Sequence, residues 1–213
     1  MEDSYEAFIE RLQQHATREG LSDLRLARDE FHRLTGEFEE GEPWFETRMR
    51  MFLDWYLLDR RGHDDITPVE SFIEANRSTL DDADRKQFEH LTVTLRSVFK
   101  IVRMRGDSLL LDDLAGGGQW LARWILPTVG LKKNDILNSR MVLFDDIVTI
   151  GRGAVLHPRE ALESVERIVA RAYREEMPAR QIVDHLDKMR LKLDRYSNVK
   201  IRHVYQYPDD ALL

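Results

Sequence analysis

The sequence predicts an α+β protein: an N-terminal helical bundle, a small antiparallel β module shaped as a barrel or a curled sheet, and C-terminal helices. Three observations predict it. Between Val98 and His157 the apolar residues stop recurring at helical spacing and alternate or run in short blocks, whereas on either side they recur every three to four residues. Turn chemistry separates those blocks, at Gly106, Gly116-Gly117-Gly118, Gly130 and Asp145-Asp146. The charge changes with the pattern. Residues 1–95 carry 12 Lys+Arg against 23 Asp+Glu, residues 96–159 carry 10 against 6, and residues 160–213 balance at 10 against 10. The expected division is therefore a helical domain over 1–95, the β module over 96–157, C-terminal helices over 158–196 and a tail over 197–213.

The elements follow in order. Tyr5, Phe8, Ile9 and Leu12 share one helical face from about Ser4 to Glu19, with Gly20 beyond its end. Ser22 is the expected cap of a second helix, with Leu24, Leu26, Ala27, Phe31 and Leu34 as its apolar stripe; an acidic loop around Glu37-Phe38-Glu39-Glu40 follows. Pro43 opens a third helix to Leu58, whose run Met51-Phe52-Leu53-Asp54-Trp55-Tyr56-Leu57-Leu58 has no solvated side, which predicts the central helix of the bundle. Thr67-Pro68-Val69-Glu70 spells a capping box with proline at the first helical position. A fifth helix is expected from about Asp82 to Leu95, with aspartates at its positive end and Phe88, Leu91 and Leu95 inward.

Within the β module, Val98–Met104 and Leu109–Leu111 read as a hairpin about Gly106. A strand over Trp120–Ile125 places Trp120, Ala122 and Trp124 on one face, expected to be buried. After Pro127 and Gly130, Ile136–Phe144 and Ile147–Ile150 pair across Asp145-Asp146, for about five strands in all. Helix resumes at His157-Pro158-Arg159-Glu160, with Leu162, Val165, Ile168, Val169 and Ala172 as one stripe. A last helix starts at Pro178 with Ile182, Leu186, Met189 and Leu193 as a narrow seam. Alternation over Val199–Tyr207 predicts an edge strand.

Composition narrows the function classes. Cysteine is absent, which removes disulfides, thiolate nucleophiles and cysteine-based zinc sites. The N-terminus Met1-Glu2-Asp3-Ser4-Tyr5-Glu6 is acidic where a secretory signal is basic, and no run of about eighteen apolar residues occurs, so a soluble cytoplasmic protein that does not engage a membrane is expected.

Each candidate site has a plain structural role that competes with a functional one. His63-Asp64, with His32 upstream, resembles the His-Asp pair of the metal-dependent HD phosphohydrolases. Arg60-Arg61-Gly62 before it and Thr67-Pro68 after it place the pair in a loop, and a charged turn is the reading preferred. The other histidines are scattered, no Gly-x-Ser-x-Gly elbow exists, and the paired aspartates fall at turns and helix starts, so no catalytic, metal or cofactor residue is assigned. The triple glycine precedes a strand where a phosphate loop would precede a helix. What remains is the basic surplus of the β module. Lys100, Arg103, Arg105, Arg123, Lys132, Lys133 and Arg140, with Arg152, are candidate contacts for an anion or nucleic acid, interleaved with Phe99, Trp120, Trp124 and Phe144. That surplus has two uses: internal docking against the acidic helices, or a positive surface for a partner. The expected function is a non-enzymatic interaction or regulatory role with a protein partner or a second copy. Nucleic-acid binding through the basic module is the alternative, and an enzyme whose site is assembled from residues distant in sequence is the third reading.

Overall fold

A computed structural model describes residues 2–19, 21–124, 130–196 and 198–207. The N-terminal part is five helices: α1 (Glu2–Glu19), α2 (Leu21–Thr35), α3 (Phe45–Leu58), α4 (Pro68–Ala75) and α5 (Asp82–Leu91). No residue from Met51 to Leu58 is exposed, as a helix apolar on all sides requires. The capping box of α4 is complete: Thr67 Oγ1 accepts from the Glu70 N–H at 3.3 Å, and Glu70 accepts from the Thr67 N–H at 2.7 Å. Asp81 caps α5 by accepting from the Asp84 N–H.

Six strands follow: β1 (Leu95–Arg105), β2 (Ser108–Asp113), β3 (Gln119–Arg123), β4 (Ile136–Phe144), β5 (Ile147–Ile150) and β6 (Val155–Leu156). β1 pairs with both β2 and β4, β2 with β3, and β4 with β5 and β6, all antiparallel. β3 meets β5 through one parallel pair, Arg123 with Thr149, so the sheet curls round without becoming a true barrel. The Asp145-Asp146 reversal has φ of 49° and 58°, the left-handed geometry of a two-residue hairpin turn that aspartate tolerates better than most side chains.

β4 is the pivot of the molecule because both its faces are buried. Leu137 and Met141 point into the curl with Phe99, Ile101, Leu109, Leu111, Ala122 and Trp124. On the other face, Ile136 joins the core of the C-terminal helices, while Val142 and Phe144 join Tyr5, Ile9, Phe52 and Phe88 of the N-terminal helices. Those C-terminal helices are α6 (Leu162–Arg174), α7 (Ala179–Arg195) and α8 (Ile201–Val204), the first entered through a 3-10 turn over Arg159–Ala161.

Several expectations need correction. α5 stops at Leu91 and Leu95 opens β1: the β-branched run Thr92-Val93-Thr94 is a poor helix former, the Thr92 and Val93 N–H groups turn back to the Glu89 and His90 carbonyls to close the helix, and Val93 is left 76% exposed. Val199–Tyr207 forms no strand. Ile201, Val204 and Tyr205 also stand at i, i+3 and i+4, and burial of Val204 and Tyr205 favours the helical turn of α8. α2 begins at Leu21, which puts Ser22 inside its first turn. Ala122 and Trp124 are buried, whereas Trp120 stays 38% exposed beyond the reach of the curl. The strand β6 is an addition, two residues too short to show a period. Gly20, Ile125 and Pro127 lie outside the described residues.

Candidate functional site

The basic residues of the sheet separate into two groups, and position along the strands decides which. The outer face of β4 and the ends of the strands beside it lie against helices, and their cations are spent there. Arg140, on β4, is 4% exposed and binds both Asp59 carboxylate oxygens and the Thr94 hydroxyl. Arg152 sends Nε (3.1 Å) and Nη2 (2.8 Å) to Asp54 and Nη1 (2.8 Å) to Glu6. Burial opposes charge on this guanidinium, but Asp54 and Glu6 outweigh it and hold Arg152 above its ordinary pKa. Arg96, at the start of β1, bonds Asp184 at 2.6 Å and Asp187 at 3.0 Å on α7. Asp187 also accepts from Asn138 Nδ2 at 2.9 Å, and its carbonyl accepts from the buried Arg48 at 2.6 Å. Lys100 reaches Glu166 of α6 at 2.7 Å, and Arg159 binds Asp135 at 2.7 Å.

The internal use of the surplus is therefore realised residue by residue. Arg140 and Arg152 are withdrawn from any surface, and Lys100 is committed to α6. The helices are tied to the sheet by these pairs as well as by the shared cores.

The second group lies on the exposed part of β1 to β3 and the loop beside it. Among the described residues Arg103, Arg105, Lys132 and Lys133 hold no ion pair, and all four are exposed. Register sets their surroundings, since cross-strand partners share a face. Arg103 pairs with Leu110, which pairs with Leu121; Arg105 pairs with Ser108, which pairs with Arg123. One outer face thus carries two rows, Arg103–Leu110–Leu121 and Arg105–Ser108–Arg123. Leu121 is 66% exposed there, and Arg123 lies 3.5 Å from Asp107. Lys132 and Lys133 belong to a loop joined to β1 where Asn134 N–H donates to the Ile101 carbonyl at 2.8 Å and Ile101 N–H donates to Asp135 at 2.9 Å. Of the seven cations expected to meet an anion, this end of the sheet gathers five and leaves out Lys100 and Arg140.

The aromatic residues divide differently. Phe99, Trp124 and Phe144 are core residues, so of the four expected to stack on bases Trp120 alone keeps an exposed ring. Other candidates resolve plainly. His63 and Asp64 lie fully in solvent, and no group of three metal-ligating side chains occurs among the described residues. No helix among them is long and apolar enough to cross a membrane. The largest cavity described, about 810 Å³, is a cleft between α3, the start of β1 and α7. Of its ionic groups, Asp59, Arg60, Arg61, Glu70, Arg96 and Asp184 are engaged with one another or with neighbours, and Arg180 is exposed. Burial raises the Asp184 carboxyl above its ordinary value against the pull of Arg96, with Asp187 adding to the rise. Sequence patterns missed this clamp because its acids lie 81 and 98 residues from Arg140 and Arg152, and 88 and 91 from Arg96.

Compared with known proteins, the chain matches no protein-family model, no curated protein and no solved structure.

Proposed function

We propose that the chain is a binding module that receives an acidic partner protein on the outer face of β1, β2 and β3. The observation that supports it most is the coincidence, on one face, of Arg103 and Arg105, which hold no ion pair among the described residues, with the half-buried Leu110 and the exposed Leu121, beside Lys132 and Lys133. An apolar strip supplies desolvation and flanking arginines supply orientation, the combination from which protein interfaces are built. Partly open five-stranded folds of the OB type use the face of strands 2 and 3 for extended ligands, an analogy that agrees with this placement.

The test is retention of a stoichiometric partner from the cell's own lysate by the immobilised chain. Arg103→Glu with Arg105→Glu, and separately Leu121→Asp, should each lose it, and raising salt from about 50 to about 300 mM should elute it. Retention that ignores all three ends the reading. Nucleic acid remains a second reading on the same four cations. It predicts retardation of a labelled single strand, with a steep salt dependence and loss in the arginine variant.

A further inference from the structure

We propose a second, separate site: Ser71 is an acyl-accepting nucleophile with His15 as its general base, acting on small carboxylic esters in the cavity at the start of α4. Ser71 Oγ and His15 Nε2 are 3.1 Å apart, although the residues are 56 positions apart in the chain. That is the distance and the ring nitrogen through which an imidazole takes a hydroxyl proton. Both side chains are half-buried, and the His15 ring stands edge-on to Phe72 at 5.4 Å, which limits its rotation.

Ser71 lines a polar cavity of about 300 Å³ together with Asp23, Tyr56, Arg60, His63 and Thr67. Arg60 is fixed in that wall by Asp23 at 2.9 Å and Glu30 at 2.7 Å, and its own pKa is raised, chiefly by the hydrogen bond to Glu30. Ser71 also lies in the first half of α4, near the positive end of that helix.

The step balances with water as co-reactant. With the ring proton on Nδ1, His15 Nε2 takes the Ser71 hydroxyl proton as Oγ bonds to the ester carbonyl carbon. The tetrahedral oxyanion collapses, the C–O bond to the alcohol breaks, and the alcohol leaves with the proton from His15. Water, deprotonated by the same nitrogen, then attacks the acyl-serine. The carboxylic acid leaves and Ser71 regains its proton.

Two measurements decide it. A fluorophosphonate probe should label the native chain at Ser71, with labelling lost in Ser71→Ala and slowed about 100-fold or more in His15→Gln. The chain has no cysteine, so Ser71→Cys carries a single thiol. Its iodoacetamide alkylation should titrate at least about one pH unit below the ordinary value near 8.5, and return toward that value when His15→Gln is added. A merely structural bond between α1 and α4 would change the melting temperature and leave the thiol titration where it was. Alkylation titrating alike with and without His15, or probe labelling indifferent to His15→Gln, overturns the proposal. Neither readout touches the sheet face, so the two sites stand or fall separately.

Discussion

Arg152→Met tests the internal clamp where it is deepest. The substitution keeps the length of the side chain and removes three hydrogen bonds, two to Asp54 and one to Glu6. Asp54 is 3% exposed and would be left as an uncompensated buried carboxylate, which costs about 3–5 kcal/mol. The Glu6 side chain is 36% exposed, and water takes over most of what it loses. In a chain of this size each kcal/mol moves the melting temperature by about 2–4 °C, so a fall of about 6–20 °C is expected. Urea denaturation gives the free energy and calorimetry the temperature. Arg152→Met with Asp54→Leu removes both charges and should recover most of the loss, giving a coupling of about 2–3 kcal/mol in the cycle. A single variant that loses less than about 1 kcal/mol, or a double variant that loses the sum of its singles, would refute the reasoning.

Two further predictions concern other parts of the core. Burial, with Arg190 and Arg48 adding to it, pushes the His157 imidazole down to about 3, while an unfolded histidine titrates near 6.5. The unfolded chain therefore takes the proton first. Stability is whole above about pH 6.5 and falls by about 1.4 kcal/mol per unit as pH drops toward 3, and His157→Phe should flatten that limb of the stability–pH curve. A Cβ on Gly153 would stand 2.4 Å from Met51 Cγ and 3.0 Å from the Met51 backbone nitrogen. Gly153→Ala should cost about 1–3 kcal/mol in urea, and Met51→Ala should not fully rescue it, because the backbone contact remains.

What the sequence disclosed was whatever is local. The capping box at Thr67, the apolar run of α3 and the Asp145-Asp146 reversal are each specified within a few residues, and each stands as read. Boundaries failed where two patterns fit one stretch, as at Val199–Tyr207, where alternation and a helical turn share Ile201 and Tyr205. The fate of the cations was half legible. Charge counts showed an acidic helical part and a basic sheet, but the count treats Arg140 and Arg103 alike. Register and curl separate them, sending Arg140 toward Asp59 and leaving Arg103 exposed across from Leu110. The Ser71–His15 pair was out of reach for the same reason, since nothing in the two helices announces that α1 and α4 lie side by side.

The most direct test of the division between clamping and partner-facing cations is the urea unfolding free energy of the chain with Arg103, Arg105, Lys132 and Lys133 all changed to glutamine. The account predicts a value within about 1 kcal/mol of wild type, because those side chains are exposed and hold no ion pair among the described residues. A loss of several kcal/mol, comparable to that of Arg152→Met, would show that they brace the fold and would contradict it.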